Sequence, residues 1–406
     1  MNFDVERERA RFPALHQQVW NKPLTWLDSA ATTQKPDVVI DAEAAFYRED
    51  NANVHRGVHA LSARATQKFE AGRDKIAKFL GAAESREIVL LRGTTEAVNL
   101  VANTWGTANV KAGDEIAISG MEHHSNIVPW QMLCQRTGAT LRVLPYDDRG
   151  VLDLDAARTI IGPKTKLVGC VHVSNALGTV NPVRDLAALA HAQGAVMLVD
   201  GAQATAHVPV DVVGMDIDFY AMSGHKVYAP TGIGALYGKA KLLEAMPPWQ
   251  GGGDMIRSVT FEKTLYAAIP AKFEAGTPNV AGVIALGVAL DYLGSLDREA
   301  MYAHEDDVLA YGTERLLEIP GLRMVGTAPQ KVGVLSFVID GVHPHDLGTI
   351  LDRHGIAIRT GHHCAQPVMA HFKIPATARA SLGLYNTRAD IDRLIDGLLA
   401  AIKVLR

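Results

Sequence analysis

The sequence lacks the features of secreted, membrane-spanning and nucleic-acid-binding proteins. Its three cysteines, Cys134, Cys170 and Cys364, lie far apart without CxxC spacing, which excludes a disulfide framework and is typical of a reducing compartment. No apolar stretch is long enough to cross a bilayer, and the first residues lack the apolar core of a secretory signal. The net charge of -4 provides no general attraction to nucleic acid or anionic lipid. We therefore expect a cytoplasmic protein without nucleic-acid or membrane partners.

The chain does have enough apolar sequence for two cores, with 406 residues of which 48% are hydrophobic. In its first part, short apolar strands such as EIVLLR, KLVGCVHV and VMLVD alternate with amphipathic helices. This pattern predicts an α/β fold with a mostly parallel sheet that is covered on both faces. Later, the strands VGVLSFVID, IAIRTG and ARASLGLY surround one helix and predict a smaller α+β domain. We predict an N-terminal segment (1–20) that packs with the small domain, a large domain (21–290) and a small C-terminal domain (291–406), with a ligand site in the cleft between domains.

Two charged residues at predicted strand ends indicate a pyridoxal phosphate site. Asp200 ends the strand in LVDGAQA, and Lys226 follows the strand in DFYAMSGHK. A lysine amine forms a Schiff base with the cofactor's aldehyde, and a carboxylate facing the pyridine nitrogen keeps it protonated, so that the ring accepts carbanion electrons. Taken singly, these residues would be a solvated lysine and a turn aspartate. Their pairing favours the cofactor.

Other polar residues follow predicted strands and fit the remaining parts of the cofactor: Thr94, Thr95, Asn175, Gln203, Ser223 and His225. The two threonines open a helix after Gly93, where free backbone N–H groups and the helix dipole bind phosphate. An ordinary threonine N-cap is the alternative. Ser223 and His225 flank the lysine and are predicted to donate to the same phosphate. The amides of Gln203 and Asn175 are predicted to lie near the cofactor's phenolic oxygen.

A tandem histidine pair, His123 and His124, follows the predicted strand DEIAIS. Adjacent side chains diverge on a strand or a helix, so we expect only one of them to face the cofactor. An imidazole that stacks on the pyridine ring and transfers protons suits His123. A hydrogen-bonded surface histidine and a metal ligand are the alternatives, and no further histidine or cysteine lies at ligand spacing with acidic support. We therefore predict no metal site.

Cys364 and Arg379 are the candidates for chemistry on the substrate. Cys364 lies in RTGHHCAQP, where His362, His363 and Arg359 are near enough in sequence to favour the thiolate. Cysteines in core strands and helices are more often small buried hydrophobes, which suits the other two. Arg379, in the strand ARASLGLY, is able to pair in two-pronged fashion with an amino-acid carboxylate; a weak surface salt bridge is its alternative role.

Eight motifs in chain order resemble those of SufS-type (group II) cysteine desulfurases: LDSAAT, RGTTEAVNL, MEHHSNIVPWQ, HVSNALGT, VDGAQA, SGHK, FEAGTPN and RTGHHCAQP. The resemblance spans nearly the whole chain, and RTGHHCAQP is the motif specific to this group and to selenocysteine lyase-like proteins. It implies the PLP-dependent transferase fold type I, in which a large domain with a mostly parallel seven-stranded sheet is followed by a smaller α+β domain.

The resemblance also implies residue roles. Lys226 would carry the cofactor, Asp200 would face the ring nitrogen, and His123 would stack on the ring. Thr277 in FEAGTPN would reach the phosphate of the partner subunit, which makes the protein a homodimer. The other implied residues are Gln203 at the ring oxygen; Thr94, Thr95, Ser223 and His225 at the phosphate; and Arg379, Arg359, Asn175 and His362 at the substrate.

The activity implied is conversion of L-cysteine to L-alanine, with a persulfide on Cys364 that passes to a SufE-like or SufU-like acceptor and on to SUF scaffold proteins for iron-sulfur cluster assembly. A lyase that prefers L-selenocysteine, or acts on both substrates, is the nearest alternative. Another class V reaction, such as transamination or kynurenine hydrolysis, would leave Cys364 without a role. A silent scaffold that only binds the cofactor or a sulfur-transfer partner would have no need of Lys226, His123 and Cys364 together.

Overall fold

The computed structural model describes residues 3–406, so Met1 and Asn2 of the predicted N-terminal segment lie outside the described residues. Its helices are α1 Val5–Arg9, α2 Asp37–Ala45, α3 Ala60–Leu80, α4 Thr94–Val101, α5 Thr107–Asn109, α6 Val128–Thr137, α7 Leu154–Ile160, α8 Val183–Ala192, α9 Ala204–His207, α10 Ala240–Ala245, α11 Val280–Gly294, α12 Arg298–Leu317, α13 Pro344–Arg353, α14 Gln366–His371 and α15 Arg388–Leu405. Across residues 3–406, a single helix long and apolar enough to span a membrane is not found; α11 and α12 meet that test only as a pair, which is bent by 85°.

A seven-stranded sheet forms the centre of the large part of the molecule. Its strands are β1 Ile88–Leu91, β2 Glu115–Ser119, β3 Thr140–Leu144, β4 Thr165–Val171, β5 Val196–Asp200, β6 Phe219–Ser223 and β7 Gly234–Gly238. Their spatial order is β1-β7-β6-β5-β4-β2-β3, and β7 is antiparallel to both of its neighbours while the other pairings are parallel. The predicted mostly parallel seven-stranded sheet is therefore confirmed.

Burial on both faces explains why several strands of the sheet are apolar without alternation. Every residue of β1, β6 and β7 is buried, because helices cover both faces of the sheet. In α8 the buried positions are Val183, Leu186, Ala187 and Ala190, which is the i, i+3, i+4, i+7 stripe of a helix with one face on the sheet. Parallel strands that are wound in this way bring their carboxyl ends to one edge, where loops gather.

A second, antiparallel sheet lies in the C-terminal part. Its strands are β8 Leu322–Val325, β9 Val334–Ile339, β10 Arg359–Gly361 and β11 Thr377–Ser381, in the order β8-β9-β11-β10. Helices α12, α13 and α15 pack with it. The last helix begins with the capping box that the spacing of Thr387 and Asp390 predicts: Thr387 caps the Asp390 N–H, and the Asp390 carboxylate accepts from the Thr387 N–H.

The N-terminal residues join the two parts. Thr25–Trp26 pairs in parallel with Ile356–Ala357, so a short strand on the large-domain side of the predicted boundary at residue 20 pairs with the C-terminal part. Arg9 donates to the Asp390 carboxylate and to the Tyr385 carbonyl, both at 2.8 Å. Phe12 is fully buried, and its ring lies 4.8 Å from that of Tyr385, 5.9 Å from that of Tyr228 and 6.2 Å from that of Tyr292.

The Phe12→Ala substitution is expected to lower the free energy of unfolding by about 3–5 kcal/mol, because it removes the central ring of an aromatic cluster formed by four segments of the chain. Leu317→Ala is the matched control, since that side chain is 59% exposed, and is expected to change the same quantity by less than about 0.5 kcal/mol. Urea unfolding of both variants measures the difference. Equal effects of the two substitutions would contradict this role for Phe12.

Candidate functional site

A cavity of about 380 Å³ lies between the carboxyl edge of the large sheet and the small antiparallel sheet. Its lining comes from the ends of β4, β5 and β6, from the loops that follow β1, β2, β4, β5 and β6, from strands β10 and β11 with the loop after β10, and from Ala30 and Ala31. The polar lining residues are Thr94, Thr95, His123, Ser125, Asn175, Asp200, Gln203, Ser223, His225, Lys226, Arg359, Thr360, His363, Cys364 and Arg379. The structure thus gathers all the sequence-predicted site residues except Thr277 and His362.

Lys226 and Asp200 lie in this cavity on adjacent strands. Asp200 is the last residue of β5, and Lys226 lies in the single turn after β6, so the parallel pairing of these strands brings the two charges to one edge. Burial lowers the pKa of Lys226 to about 8, and the negative charge of Asp200 partly opposes this shift. Burial raises the pKa of Asp200, while the Ala202 N–H, 3.0 Å from Oδ1, and Lys226 favour the carboxylate. Lys226 is therefore mostly protonated at pH 7, with roughly a tenth of its amine neutral, which is far more than an exposed lysine would have.

His123 faces the cavity and His124 does not, as the divergence of adjacent side chains predicts. The His123 Nδ1 accepts the Ser125 N–H at 3.1 Å, so the neutral ring carries its proton on Nε2. Burial lowers the pKa of His123 to about 4, and the positive charges of Lys226, His124 and Arg379 add to this effect. The ring is consequently a neutral imidazole at neutral pH, with an N–H to donate.

The end of the cavity near α4 is rich in hydroxyl groups. Gly93 precedes this helix with φ of 148°, and a Cβ there would lie 3.0 Å from the Ser223 Oγ. Ser223 accepts the Thr94 N–H at 3.0 Å and donates to the Thr94 Oγ1 at 2.9 Å. Thr95, the next residue of α4, is exposed, and His225 is half-buried. Hydroxyls and helix N–H groups together form a donor set that suits a phosphate.

A buried guanidinium lies on the opposite side of the cavity. Arg379, 1% exposed, donates to the Asn175 carbonyl at 2.9 Å and to the Asp28 carboxylate at 3.2 Å. Arg359 donates to the other oxygen of Asp28 at 2.8 Å. Burial lowers the pKa of Arg379 to about 10, and Asp28 partly offsets this shift. Arg379 is therefore charged at neutral pH and available to an anionic group.

The Cys364 thiol belongs to an exposed residue that lines the same cavity as Lys226. Both His363 and Cys364 have φ of +53°, a left-handed conformation that costs non-glycine residues roughly 1–2 kcal/mol each. The Asn175 amide nitrogen donates to the His363 carbonyl at 2.6 Å and stabilises this backbone. Asn175 thus contacts the cysteine loop.

Two predicted site residues lie outside the cavity. His362 is exposed, whereas the neighbouring His363 is buried and lines the cavity, with its Nε2 2.7 Å from the Thr377 Oγ1. Thr277 is exposed and lines a different pocket of about 350 Å³. Gln203 does line the cavity, but its amide nitrogen donates to the Ala30 carbonyl at 2.6 Å.

Sequence reasoning missed Asp28 and Glu122. Asp28 belongs to the motif LDSAAT, but the sequence does not show which residues it contacts. In the structure its carboxylate pairs with Arg359 and Arg379 of the C-terminal part. Glu122 precedes His123 and is completely buried, where its carboxyl oxygens accept from Asn126 Nδ2 at 2.7 Å and from the Val171 N–H at 2.8 Å. Burial raises the pKa of Glu122 to about 8. Its bonds hold the turn that presents His123.

Comparisons with known proteins agree with this geometry. Residues 25–394 match the family model described as aminotransferase class-V. The chain is 53% identical over 406 residues to a cysteine desulfurase of Klebsiella pneumoniae, with all of both chains covered. It is 51% identical over 394 residues to a cysteine desulfurase of Synechococcus elongatus, of which it spans 63%, with 97% of this chain covered. The crystal structure of the cysteine desulfurase CsdA from Escherichia coli is similar, with a TM-score of 0.93 and 41% identity over all of both chains, which confirms the predicted fold.

The lowered pKa of Lys226 predicts how the free energy of unfolding depends on pH. Between pH of about 8 and 10.5, the unfolded chain binds a proton at Lys226 and the native cofactor-free chain does not, so native stability rises with pH across this window. The Lys226→Met variant lacks this titrating amine, so its stability does not rise in the same way. Its free energy of unfolding minus that of the wild type, here called its stability advantage, is expected to decline by on the order of 3 kcal/mol from pH 8 to pH 10.5.

Urea unfolding of both cofactor-free proteins along this pH series measures the advantage. Exposed Lys111→Met is the matched control. An advantage that stays constant or grows with pH would contradict the buried, neutral amine.

Proposed function

Because this chain belongs to the cysteine desulfurases of the aminotransferase class-V family, we propose that it converts L-cysteine to L-alanine and retains the sulfur as a persulfide on Cys364. The observation that carries the proposal is that the exposed Cys364, the amine of Lys226 and the guanidinium of Arg379 line one cavity. An amino-acid carboxylate at Arg379 would leave the substrate's side chain free to face the thiol.

Pyridoxal phosphate is the proposed cofactor, and the residues present fit it. Lys226 supplies the amine, the buried Asp200 carboxylate a partner for a protonated ring nitrogen, and the hydroxyls of Thr94 and Ser223 a phosphate cradle. Thr95 and His225 would extend this cradle, and Gln203 and Asn175, which line the same cavity, would lie beside the ring. When bound, the cofactor supplies an electron sink for bond breaking at the substrate's Cα.

Proton transfer is assigned to Lys226 and His123. Since the lowered pKa of Lys226 raises the neutral fraction of its amine above that of an exposed lysine, this residue would be able to accept the substrate's Cα proton. His123 has its proton on Nε2 and lines the cavity, so its ring would supply a hydrogen-bond donor to a bound cofactor. The Ser125 N–H holds the ring in this tautomer.

Substrate binding is assigned to Arg379. Its Nε has no protein partner among the described residues, although the group is buried, and the same is true of the Asn175 Oδ1 and the His363 Nδ1. Unsatisfied buried groups are costly, and a zwitterionic amino acid offers partners of both kinds. Arg359 holds Asp28 from the other side and keeps Arg379 in place. His362 is exposed and does not line the cavity, so its role in substrate binding stays a prediction.

The sulfur-transfer step is assigned to Cys364. Its thiolate attacks the substrate's sulfur, so that an S–S bond forms as the substrate's C–S bond breaks and the electron pair stays with the three-carbon fragment. Protonation of that fragment gives alanine, and the sulfur remains on Cys364. Because Cys364 is exposed, a SufE-like or SufU-like acceptor would reach it in the cytoplasm and pass the sulfur to SUF scaffold proteins for iron-sulfur cluster assembly.

Cys364→Ala is expected to abolish alanine formation from L-cysteine and the protein-bound persulfide. Formation from L-selenocysteine is expected to continue, because selenium is a better leaving atom and needs no protein nucleophile. Alanine and persulfide assays with both substrates measure this. Cys134→Ala, which changes a half-buried cysteine of helix α6, is the matched control. Equal loss with both substrates would count against the mechanism, whereas a wild type that acts only on selenocysteine would favour the lyase.

Lys226→Ala tests whether the protein is a working pyridoxal phosphate enzyme, and the products of the wild type test whether Cys364 has a role in the reaction. We expect this variant to lose both the visible absorbance of lysine-bound pyridoxal phosphate and the release of alanine. Absorbance spectra and alanine assays measure the two losses. Alanine release by the wild type without sulfide or persulfide would favour another class V reaction, and absorbance without turnover would favour a scaffold.

We also propose a homodimer in which Thr277 donates to the phosphate in the partner subunit's cavity. This residue is exposed and lies in its own chain's separate pocket, as expected of a group that acts across an interface. Thr277→Val is expected to weaken cofactor retention while the protein stays dimeric. Sedimentation equilibrium and cofactor release on dialysis measure this, and a monomeric wild type would falsify the proposal.

A further inference from the structure

His124 forms two contacts with the loop that carries the cysteine nucleophile, although its ring does not line the cavity. Its backbone N–H donates to the Cys364 carbonyl at 2.8 Å. Its Nε2 accepts the Gln366 N–H at 3.2 Å. These bonds lie on either side of Ala365, so one residue anchors the peptide groups that immediately follow the nucleophile.

The loop needs such anchors because its backbone is strained. His363 and Cys364 are consecutive non-glycine residues with φ of +53°, and isolated residues of this kind leave the left-handed region when nothing holds them. The Asn175 amide holds the carbonyl before Cys364, at 2.6 Å, and His124 holds the groups after it. The direction of the Cys364 side chain therefore depends on both sets of bonds.

We infer that His124 is a positioning residue, whose neutral imidazole holds the Cys364 thiol in line with the substrate's sulfur. Nε2 accepts the Gln366 N–H only when it carries no proton, so the neutral ring has its proton on Nδ1. Burial lowers the pKa of His124, and the nearby His362 adds to the shift, which favours this neutral form. The inference rests on the proposed sulfur transfer by Cys364.

The test compares two replacements of His124 in the cofactor-loaded protein. H124Q places an amide oxygen about where Nε2 lies and retains the acceptor, whereas H124L has similar bulk and no acceptor. The backbone bond to Cys364 is present in both variants, so the comparison isolates the side chain. H345L, at an exposed histidine of α13, is the control for a histidine-to-leucine change away from the cavity.

Two measurements are made on each variant. Steady-state alanine formation separates kcat from KM, and amide hydrogen exchange read by mass spectrometry follows the peptide of residues 360–373. For H124L we expect kcat to fall by about tenfold or more, since small misplacements of a reacting group are costly, while KM stays close to the wild-type value. The peptide that contains Gln366 should also exchange faster than in the wild type. In H124Q we expect most of the kcat and of the amide protection to be retained.

Wild-type kcat in H124L, or a loss of kcat that H124Q does not restore, would overturn the inference. Failure of the proposed function is distinguishable, because the wild type itself would then release no alanine. Visible absorbance of the bound cofactor and the thermal midpoint verify that each variant is folded and loaded. If H124L does not load, H124N replaces it, since its shorter amide does not reach the Gln366 N–H.

Discussion

One buried guanidinium holds the two halves of the cavity together. Arg379 belongs to the antiparallel sheet of the C-terminal part, and it donates to the Asn175 carbonyl, in the loop after a central strand of the large sheet. Its remaining bond goes to Asp28, which also holds Arg359. A buried charge is tolerated only when it is paired and hydrogen-bonded. These contacts therefore fix the position of the small sheet over the carboxyl edge of the large one. The cavity is the space that this arrangement leaves.

The same arrangement places different reactive groups on the two walls of the cavity. The large sheet supplies Asp200 and Lys226 because β5 and β6 are parallel neighbours whose ends coincide. The C-terminal part supplies Arg379 and Cys364. Asn175 serves both walls, since its carbonyl accepts from Arg379 and its amide supports the strained backbone before the cysteine. A small amino acid bound between the walls would meet a proton acceptor on one side and a sulfur nucleophile on the other.

Much of this could be predicted from sequence, because it depends on local patterns. Short apolar strands without alternation require cover on both faces, which predicts the parallel sheet, and strand ends then locate Asp200 and Lys226 at one edge. The capping box at Thr387 follows from residue type and spacing alone.

The parts that sequence did not reveal depend on long-range contacts or on unusual backbone. Which of His362 and His363 faces the cavity is decided by the left-handed conformation at His363, which is rare for a non-glycine residue and has no sequence pattern. The pairing of Thr25–Trp26 with Ile356–Ala357 joins residues from opposite ends of the chain. Asp28 has a role only because this pairing brings it to two arginines.

The central claim is that Cys364 takes the substrate's sulfur within the cavity that holds Lys226. After a single turnover with L-cysteine, proteolysis by trypsin yields a peptide of residues 360–373 in which Cys364 is the one cysteine. The account predicts that this peptide gains the mass of one sulfur atom, in proportion to the alanine released. Alanine release with the added sulfur on Cys134 or Cys170, or on no cysteine, would contradict it.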